Sequence, residues 1–460
     1  MSSLALPRVR AGRRAATFRG LPVVFSRRGT DVLLAVVMMA LAAALLADLA
    51  GEFDVDSWLA LVAGRDVWHN GLPHHETLTV IAHRAVWIDQ QWLSQLASYG
   101  LYLLGGLGLL GVCIVALFAS SVAGATAGAR RLGAPFRGVL LVLPLCLVLI
   151  APSREVRTQE FAMPLFVALA YLLARDSRGP SRRVYWCLPI LVLWANLHGT
   201  VTLGALLVAL RGLTVGWERR HLLLHSAAQW KRPLALILGA PIAILITPYG
   251  LGMLGYYRTT MLSSTLRHAV TEWQPITSAP ITAGAFFVLA GLAVWSFGRH
   301  PSRTTIWERL ALVALAAGSI SVIRNVLFFA LFALMIVPVS LAIEGRRSKP
   351  PTDRRRGPIN ALLAAGALIA VLIATASTLT RPARAIELHS QRTGVLDAVQ
   401  RARQSDPSLR VLTDDHFADW LLWRDPALSG RMANDVRFEL LSGQRILAVI
   451  PFSQLPFWLA

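Results

Sequence analysis

The 460-residue sequence predicts an α-helical integral membrane protein with about eleven transmembrane helices, roughly nine to thirteen. It also predicts surface helices in the first external loop and a small external α/β segment at the C-terminus. Three observations carry this. Hydrophobic residues make up 55% of the chain and charged residues only 15%, a balance that suits a bilayer. The apolar residues fall into long uncharged runs divided by polar connections. The formal net charge of +20 gathers on alternate connections. A soluble chain this basic would suggest nucleic acid, but charge placed on alternating loops reads as membrane orientation. Composition also excludes disordered, collagen-like and disulfide-scaffold classes. Cys113, Cys146 and Cys187 all lie inside apolar runs, with no disulfide framework and no metal-type spacing.

Residues 1–30 read as a basic cytoplasmic tail: the first 28 contain seven arginines and no acid. The run from Val32 to Ala47 follows. Asp48-Leu49-Ala50 is a poor cleavage site, so the run reads as an uncleaved first transmembrane helix with its N-terminus in the cytoplasm. Ten more apolar runs complete a membrane domain over 31–380: 107–129, 134–150, 161–174, 184–197, 200–216, 233–247, 281–298, 310–323, 326–343 and 359–380. Several are shorter than the ~20 residues of a perpendicular span, and hairpins leaning on other helices accommodate them. The basic connections around 130–137, 175–183, 219–232, 299–309 and 346–356 are placed in the cytoplasm. Those at 51–106, 151–160, 249–280 and 381–460 are placed outside. Acidic residues played no part in that assignment, yet 19 of the 25 fall outside, counting Asp48 at the external end of the first run. The Pro/Arg-rich stretch Arg346–Pro358 reads as a flexible cytoplasmic linker.

The first external loop, 51–106, is too long and too patterned for a plain connector. Trp58, Leu61, Val62, Val67 and Trp68 have helical spacing, as do Leu93, Leu96, Ala97, Leu101 and Leu104. Two amphipathic helices at the membrane surface are expected, with tryptophans at headgroup level. Asp54 and Asp56 stand where the first helix leaves the bilayer. A carboxylate there can act as general base on a hydroxyl, or it can simply cap a helix. His69, His74, His75 and His83 have no HExxH-type spacing.

The pattern Asp54-x-Asp56-x-Trp58, Gly64-Arg65, Gly71-Leu72-Pro73, Thr77, Thr79, Trp87 and Gln91-Trp-Leu-x-Gln95 resembles a family of bacterial multi-pass proteins. That family is related to the GT-C glycosyltransferases, such as the protein mannosyltransferases and aminoarabinose transferases. Further matches are Arg157-x-Gln159, Trp194-Ala-Asn196-Leu-His198-Gly199, Thr247-Pro-Tyr-Gly250, Glu272-Trp273-x-Pro275 and Arg324-Asn325. The resemblance implies a GT-C-like fold whose catalytic Asp lies in the first external loop. Matching Trp58 favours Asp54; matching Arg65 favours Asp56; the choice stays open.

The predicted topology puts Asp54, Asp56, Arg157, Asn196, His198, Glu272 and Arg324 at the external ends of helices. Polar groups at membrane depth suggest function, and arginines suit a lipid phosphate. The competing readings are snorkelling for Arg324, a satisfied helix break for Asn196 and His198, and an interfacial anchor for Glu272–Trp273. The expected activity is transfer of a sugar from a polyprenyl-phosphate donor to an acceptor hydroxyl on a glycan, lipid or protein, at the external face of a bacterial inner membrane. In this scheme Asp54 or Asp56 is the base. Arg157 and Arg324, with Arg258 or Arg267, neutralise the phosphate. Gln159, Asn196, His198, Glu272 and Trp273 position substrate. The donor type and inversion at the anomeric carbon come from the resemblance. No nucleotide-binding fingerprint is present, no cofactor is fixed, and a divalent metal at the carboxylates is left open. The alternatives are a lipid or polysaccharide transporter, for which broken helices speak, and a non-catalytic assembly protein on the same fold.

The C-terminal segment 381–460 is polar. Residues 395–403 and 416–423 read as helices, 410–413 and 447–450 as strands. Phe417-Ala-Asp-Trp-Leu-Leu-Trp423 followed by Asp435-Val-Arg437-Phe-Glu439 resembles the family's Gly-x-Tyr-Leu-x-Trp … Asp-Gly-Arg-x-Glu element, with Ala418 and Val436 in place of its glycines. The ending Phe457-Trp-Leu-Ala460 reads as a truncated or divergent terminus.

Overall fold

The computed structural model describes residues 27–153, 155–223, 227–341, 356–390 and 393–453. The basic tail up to residue 26, most of the 346–358 linker and the last seven residues lie outside the described residues. Each of the eleven apolar runs carries a helix. In chain order the helices are α1 (Arg27–Asp48), α2 (Val55–Asn70), α3 (Trp92–Arg131), α4 (Phe136–Ile150), α5 (Met163–Arg178), α6 (Cys187–Leu197), α7 (Val201–Glu218), α8 (Arg220–Leu223), α9 (Lys231–Ala243), α10 (Gly252–Leu262), α11 (Ser264–Ala269), α12 (Pro280–Arg299), α13 (Ile306–Ser321), α14 (Val326–Ser340), α15 (Arg356–Thr380), α16 (Ala383–Ser390), α17 (Thr393–Ser405), α18 (Asp415–Arg424) and α19 (Gly443–Ser453).

By length and composition, six helical stretches among the described residues are long and apolar enough to cross a membrane: Gly29–Asp48, Trp92–Arg131, Val201–Glu218, Pro280–Arg299, Ile323–Ser340 and Pro358–Thr380. The helices α4, α5, α6, α9 and α13 have 11 to 16 residues. At 1.5 Å per residue they extend only about 16–24 Å. The helix α14 is apolar all round and every one of its residues is buried, as expected of a central helix. It packs against α3, α4, α5, α12 and α13. On the flank, α15 lies along α1.

Two glycines shape the first loop. Gly106 adopts φ +66° and Gly105 departs from helical angles. Together they break α3 into a loop-side arm and a long apolar helix, because only glycine takes that conformation without strain. At Gly64 an added Cβ would stand 2.1 Å from the carbonyl oxygen of Gln95, so the absence of a side chain lets α2 and α3 touch. Next to it, Arg65 donates to the carbonyls of Leu422 (2.8 Å) and Trp423 (3.1 Å), satisfying the open C-terminal end of α18.

Two expectations are corrected. The helix α2 is not a surface amphipath: Ser57 to Gly64 is buried without interruption, because α3 covers one side and α18 the other. Trp58 is fully buried against Phe53 rather than at headgroup level. The C-terminal segment is not α/β. Among the described residues there is no strand, only isolated bridges. Val411 bridges Met432, but three residues later Asp414 caps α18 by accepting from the Phe417 N–H (3.1 Å), so the pairing cannot extend. The run 447–450 belongs to α19. There Ile446 and Val449 pack with Leu266, Ala82 and Phe438. A short apolar run does not distinguish strand from helix by itself.

The C-terminal segment folds back onto the first loop. Gly430 N–H donates to Leu78 O (2.8 Å), Val80 N–H to Met432 O (2.8 Å) and Ile81 N–H to Ala433 O (3.0 Å). The residues that follow, 436–439, line the cavity of the site.

Candidate active site

A cavity of about 560 Å³ opens among the ends of α2, α6, α7, α10 and α14. Its lining includes Asp54, Asp56, Arg157, Gln159, His198, Glu272, Trp273 and Arg324, residues up to 270 positions apart in the chain. The topology explains the convergence. The helix α5 leaves this end and finishes at Arg178, and α7 begins here and finishes at Glu218. The far ends are tied by different ion pairs: Arg211–Asp176 (2.9 Å), Arg232–Asp176 and Arg178–Glu308 (2.7 Å).

The start of α2 is stitched to the 151–161 crossover. Ser57 Oγ donates to Val156 O (2.6 Å), and Val156 N–H donates to Glu52 O (2.9 Å). Asp54 is the N-cap residue of α2, with its N–H donating to Ser57 Oγ (3.1 Å). The capping reading of its position therefore stands. Asp56 lies in the first turn, where the positive helix end favours a carboxylate.

Arg157 is the hub of the site. Its Nε lies 3.3 Å from Asp56 Oδ2, its Nη2 pairs with Glu155 and its Nη1 with Glu272. Burial by itself would lower the Arg157 pKa, but Asp56, Glu155 and Asp54 outweigh it and hold it above its usual value. For Glu155, burial pushes the pKa up, Arg157 pulls it down, and Asp54 and Asp56 add to the rise.

Arg324 forms the second cationic point. Its Nη2 stands 3.2 Å from His198 Nε2 and 3.5 Å from Gln159 Oε1, and its Nη1 stands 3.9 Å from Glu272 Oε2. The guanidinium carbon is 5.8 Å from the Trp273 ring centroid, within cation–π reach. Its Nε has no hydrogen-bond partner among the described residues. His198 is buried. Burial first, then Arg324 and Arg157, pushes its pKa well below the usual value, so its ring is neutral.

The remaining candidates lie elsewhere or are engaged. Asn196 Nδ2 donates to Val192 O (2.8 Å) and Ile246 O (3.0 Å), and its Oδ1 accepts from Trp92 Nε1 (3.1 Å). It clamps three segments and is not on the cavity wall. Arg267 lines the cavity but is exposed, and its Nη2 donates to Met261 O (2.9 Å). Arg258 is exposed on α10, away from the lining. Sequence reasoning missed Glu155, Gln90, Tyr256, Tyr257 and Glu439. Tyr256-Tyr257 in the 249–280 connection was an available signal, since paired aromatics beside a polar rim commonly line binding sites.

A divalent metal fits this arrangement poorly. Among the described residues no group of three or more His, Cys, Asp or Glu side chains converges as a ligand set. The carboxylates that do converge face the guanidinium of Arg157.

No protein-family model and no curated protein matches the sequence. Among solved structures, the chain is similar to the Archaeoglobus fulgidus oligosaccharyltransferase in its apo form, with a TM-score of 0.52 and 12% identity over 88% of this chain and 64% of that one. It is also similar to the archaeal oligosaccharyltransferase AglB from Archaeoglobus fulgidus in complex with an inhibitory peptide and a dolichol-phosphate, with a TM-score of 0.53 and 11% identity over 87% of this chain and 64% of that one. The chain thus spans about 64% of the length of these structures. At this identity the likeness is one of fold alone.

Proposed function

We propose that this chain is a multi-pass membrane glycosyltransferase that moves a sugar from a polyprenyl-phosphate donor to an acceptor hydroxyl at the external face of a bacterial inner membrane. The N-terminus is then cytoplasmic and the C-terminal segment external. The observation that carries the reading is one cavity joining the carboxylates Asp54 and Asp56 to the partly unpaired guanidinium of Arg324. The fold neighbour solved with a dolichol-phosphate supports a lipid phosphate as the ligand class.

In this reading the donor phosphate binds Arg324 through charge-assisted hydrogen bonds. Asp56, held by Arg157, takes the proton of the acceptor hydroxyl. The acceptor oxygen bonds to the anomeric carbon as the bond from that carbon to the phosphate oxygen breaks. The phosphate leaves with the electron pair and is stabilised by Arg324, and the configuration inverts. Arg157 already faces three carboxylates and acts as their counter-ion, leaving the phosphate to Arg324.

The test is turnover by the purified full chain in liposomes with undecaprenyl-phosphoryl sugars as donors. Wild type should release undecaprenyl phosphate, and Asp56→Asn should slow release by about 10²–10⁴-fold, the usual range for losing a general base. Product formation that survives Asp54→Asn combined with Asp56→Asn would reject the assignment.

A further inference from the structure

Part of the cavity wall shared with Asp56 and Arg157 is built by the C-terminal segment. Val436, Arg437, Phe438 and Glu439 all line the cavity. The turn is locked by Arg437, which is buried. Its Nη1 lies 2.5 Å from Glu76 Oε2 and its Nε donates to Asp435 Oδ2 (2.9 Å). The guanidinium sits 4.2 Å from the centroid of the Trp87 ring. Glu76 is itself fixed, accepting from the N–H groups of Leu78 and Thr79 (2.7 Å each). Val436, standing where the family element has glycine, packs against Leu59, Ala63 and Trp87.

Arg437 is engaged by Glu76 and Asp435, while Glu439 lines the cavity together with Asp56 of α2, Arg324 of the 323–325 turn and Tyr256 of α10, and Asp89, Asp435 and Arg437 also act on it electrostatically. Two more lining groups, Tyr257 Oη and Gln90 Oε1, are buried without a hydrogen-bond partner among the described residues. Tyr256 and Tyr257 stand edge to face, 5.7 Å between centroids. Unpaired buried polar atoms are costly unless a ligand satisfies them. A carboxylate, an amide, a phenol and two aromatic rings together suit a hydroxyl-rich ring with apolar C–H faces.

We propose that Glu439, presented by the C-terminal segment, grips the hydroxyl groups of the transferred sugar, so that the donor site is complete only with that segment docked. This rests on the glycosyltransferase reading and names the residue that recognises the sugar rather than the phosphate. Burial, helped by Asp435 and Asp56 and opposed by its own backbone N–H and by Arg437, raises the Glu439 pKa to about 7. The carboxylate that accepts most strongly from hydroxyls therefore forms as pH rises through 7.

The test is binding to the full chain in nanodiscs, comparing undecaprenyl phosphate with undecaprenyl-phosphoryl glucose, mannose and aminoarabinose. For wild type, at least one glycosylated lipid should bind about tenfold tighter than undecaprenyl phosphate, and this advantage should grow from pH 6 to pH 8. Glu439→Gln should lose the advantage and its pH dependence while keeping the affinity for undecaprenyl phosphate, which also reports that it folds. Equal loss for both lipid classes, no change, or a pH dependence that persists in Glu439→Gln and so belongs to Asp89, would overturn the proposal. No advantage for any sugar in wild type would do the same. Wild type that binds neither lipid class would instead reject the glycosyltransferase reading itself.

Discussion

Arg324 Nη2 stands 3.2 Å from Nε2 of His198, and the pair determines the histidine's tautomer. A guanidinium only donates, so Nε2 must accept. With Nε2 accepting, the proton of the neutral ring belongs on Nδ1, which stands 2.8 Å from Thr200 Oγ1 and can donate to it, so the longer 3.3 Å approach of the Thr200 N–H to Nδ1 is not a hydrogen bond in this tautomer. His198 is thus an acceptor that aims Arg324, not a proton carrier. His198→Gln, which keeps an acceptor, should retain most turnover. His198→Ala should lose about 10- to 100-fold, the equivalent of one hydrogen bond to a charged group. Steady-state assays from pH 6 to pH 8 check this: a limb in the profile that disappears in His198→Gln would contradict the neutral assignment.

Arg157 makes a different prediction because three carboxylates from three segments share its one guanidinium. Lysine carries the charge but not the planar fork, so Arg157→Lys should lose turnover despite equal charge. Arg157→Ala leaves Asp56, Glu155 and Glu272 without their cation, and hard oxygen ligands of this kind attract divalent ions. Titration with Mn²⁺, followed by its electron paramagnetic resonance signal, should show a site in Arg157→Ala that wild type lacks. Equal Mn²⁺ binding by both proteins would mean that the guanidinium does not stand in for a cation.

How much of this was legible depended on how local the cause was. The eleven apolar runs carry helices because an uncharged run in this setting must satisfy its backbone internally. The convergence of Asp56, Arg157, Glu272 and Arg324 followed from alternating loop charge. The burial of α2 did not, because it depends on α18 arriving from about 360 residues away to be capped by Arg65. The clamping contacts of Asn196 were not legible for the same reason: its partners, Trp92 and Ile246, come from other parts of the chain. Glu439 sits in the element that resembles the family pattern, yet nothing in that spacing says that Arg437 is consumed by Glu76.

The contact at Gly64 predicts that methyl-sized additions are not tolerated. A Cβ at 2.1 Å from Gln95 O can be accommodated only by separating α2 from α3, since the obstacle is backbone. Overpacking of a buried contact typically costs about 1–3 kcal/mol, and here the shift would also drag Asp56 away from Arg157. Gly64→Ala should lower the thermal midpoint in detergent and reduce turnover together. Gly100→Ala, on the same arm of α3 but with open space around the added carbon, should change neither. Normal activity in Gly64→Ala would show that the close approach is not needed.

Asp89 gives a pH-dependent prediction whose sign follows from linkage. It is 2% exposed, and its Oδ2 has no hydrogen-bond partner among the described residues. Burial raises its pKa to about 7, against weaker opposing pulls from the Gln91 N–H and Arg437. The unfolded chain has the ordinary value near ~4, so between these limits the native state binds the extra proton and stability falls as pH rises. Above pH 7 the full penalty is present, at most roughly 4 kcal/mol at 1.36 kcal/mol per unit; below about pH 4 it vanishes. Asp89→Asn removes the titration. Thermal midpoints should therefore rise over wild type by several degrees at pH 8 and by less at pH 5. An equal gain at pH 5 and pH 8 would mean that Asp89 is ionised in the folded protein throughout that range.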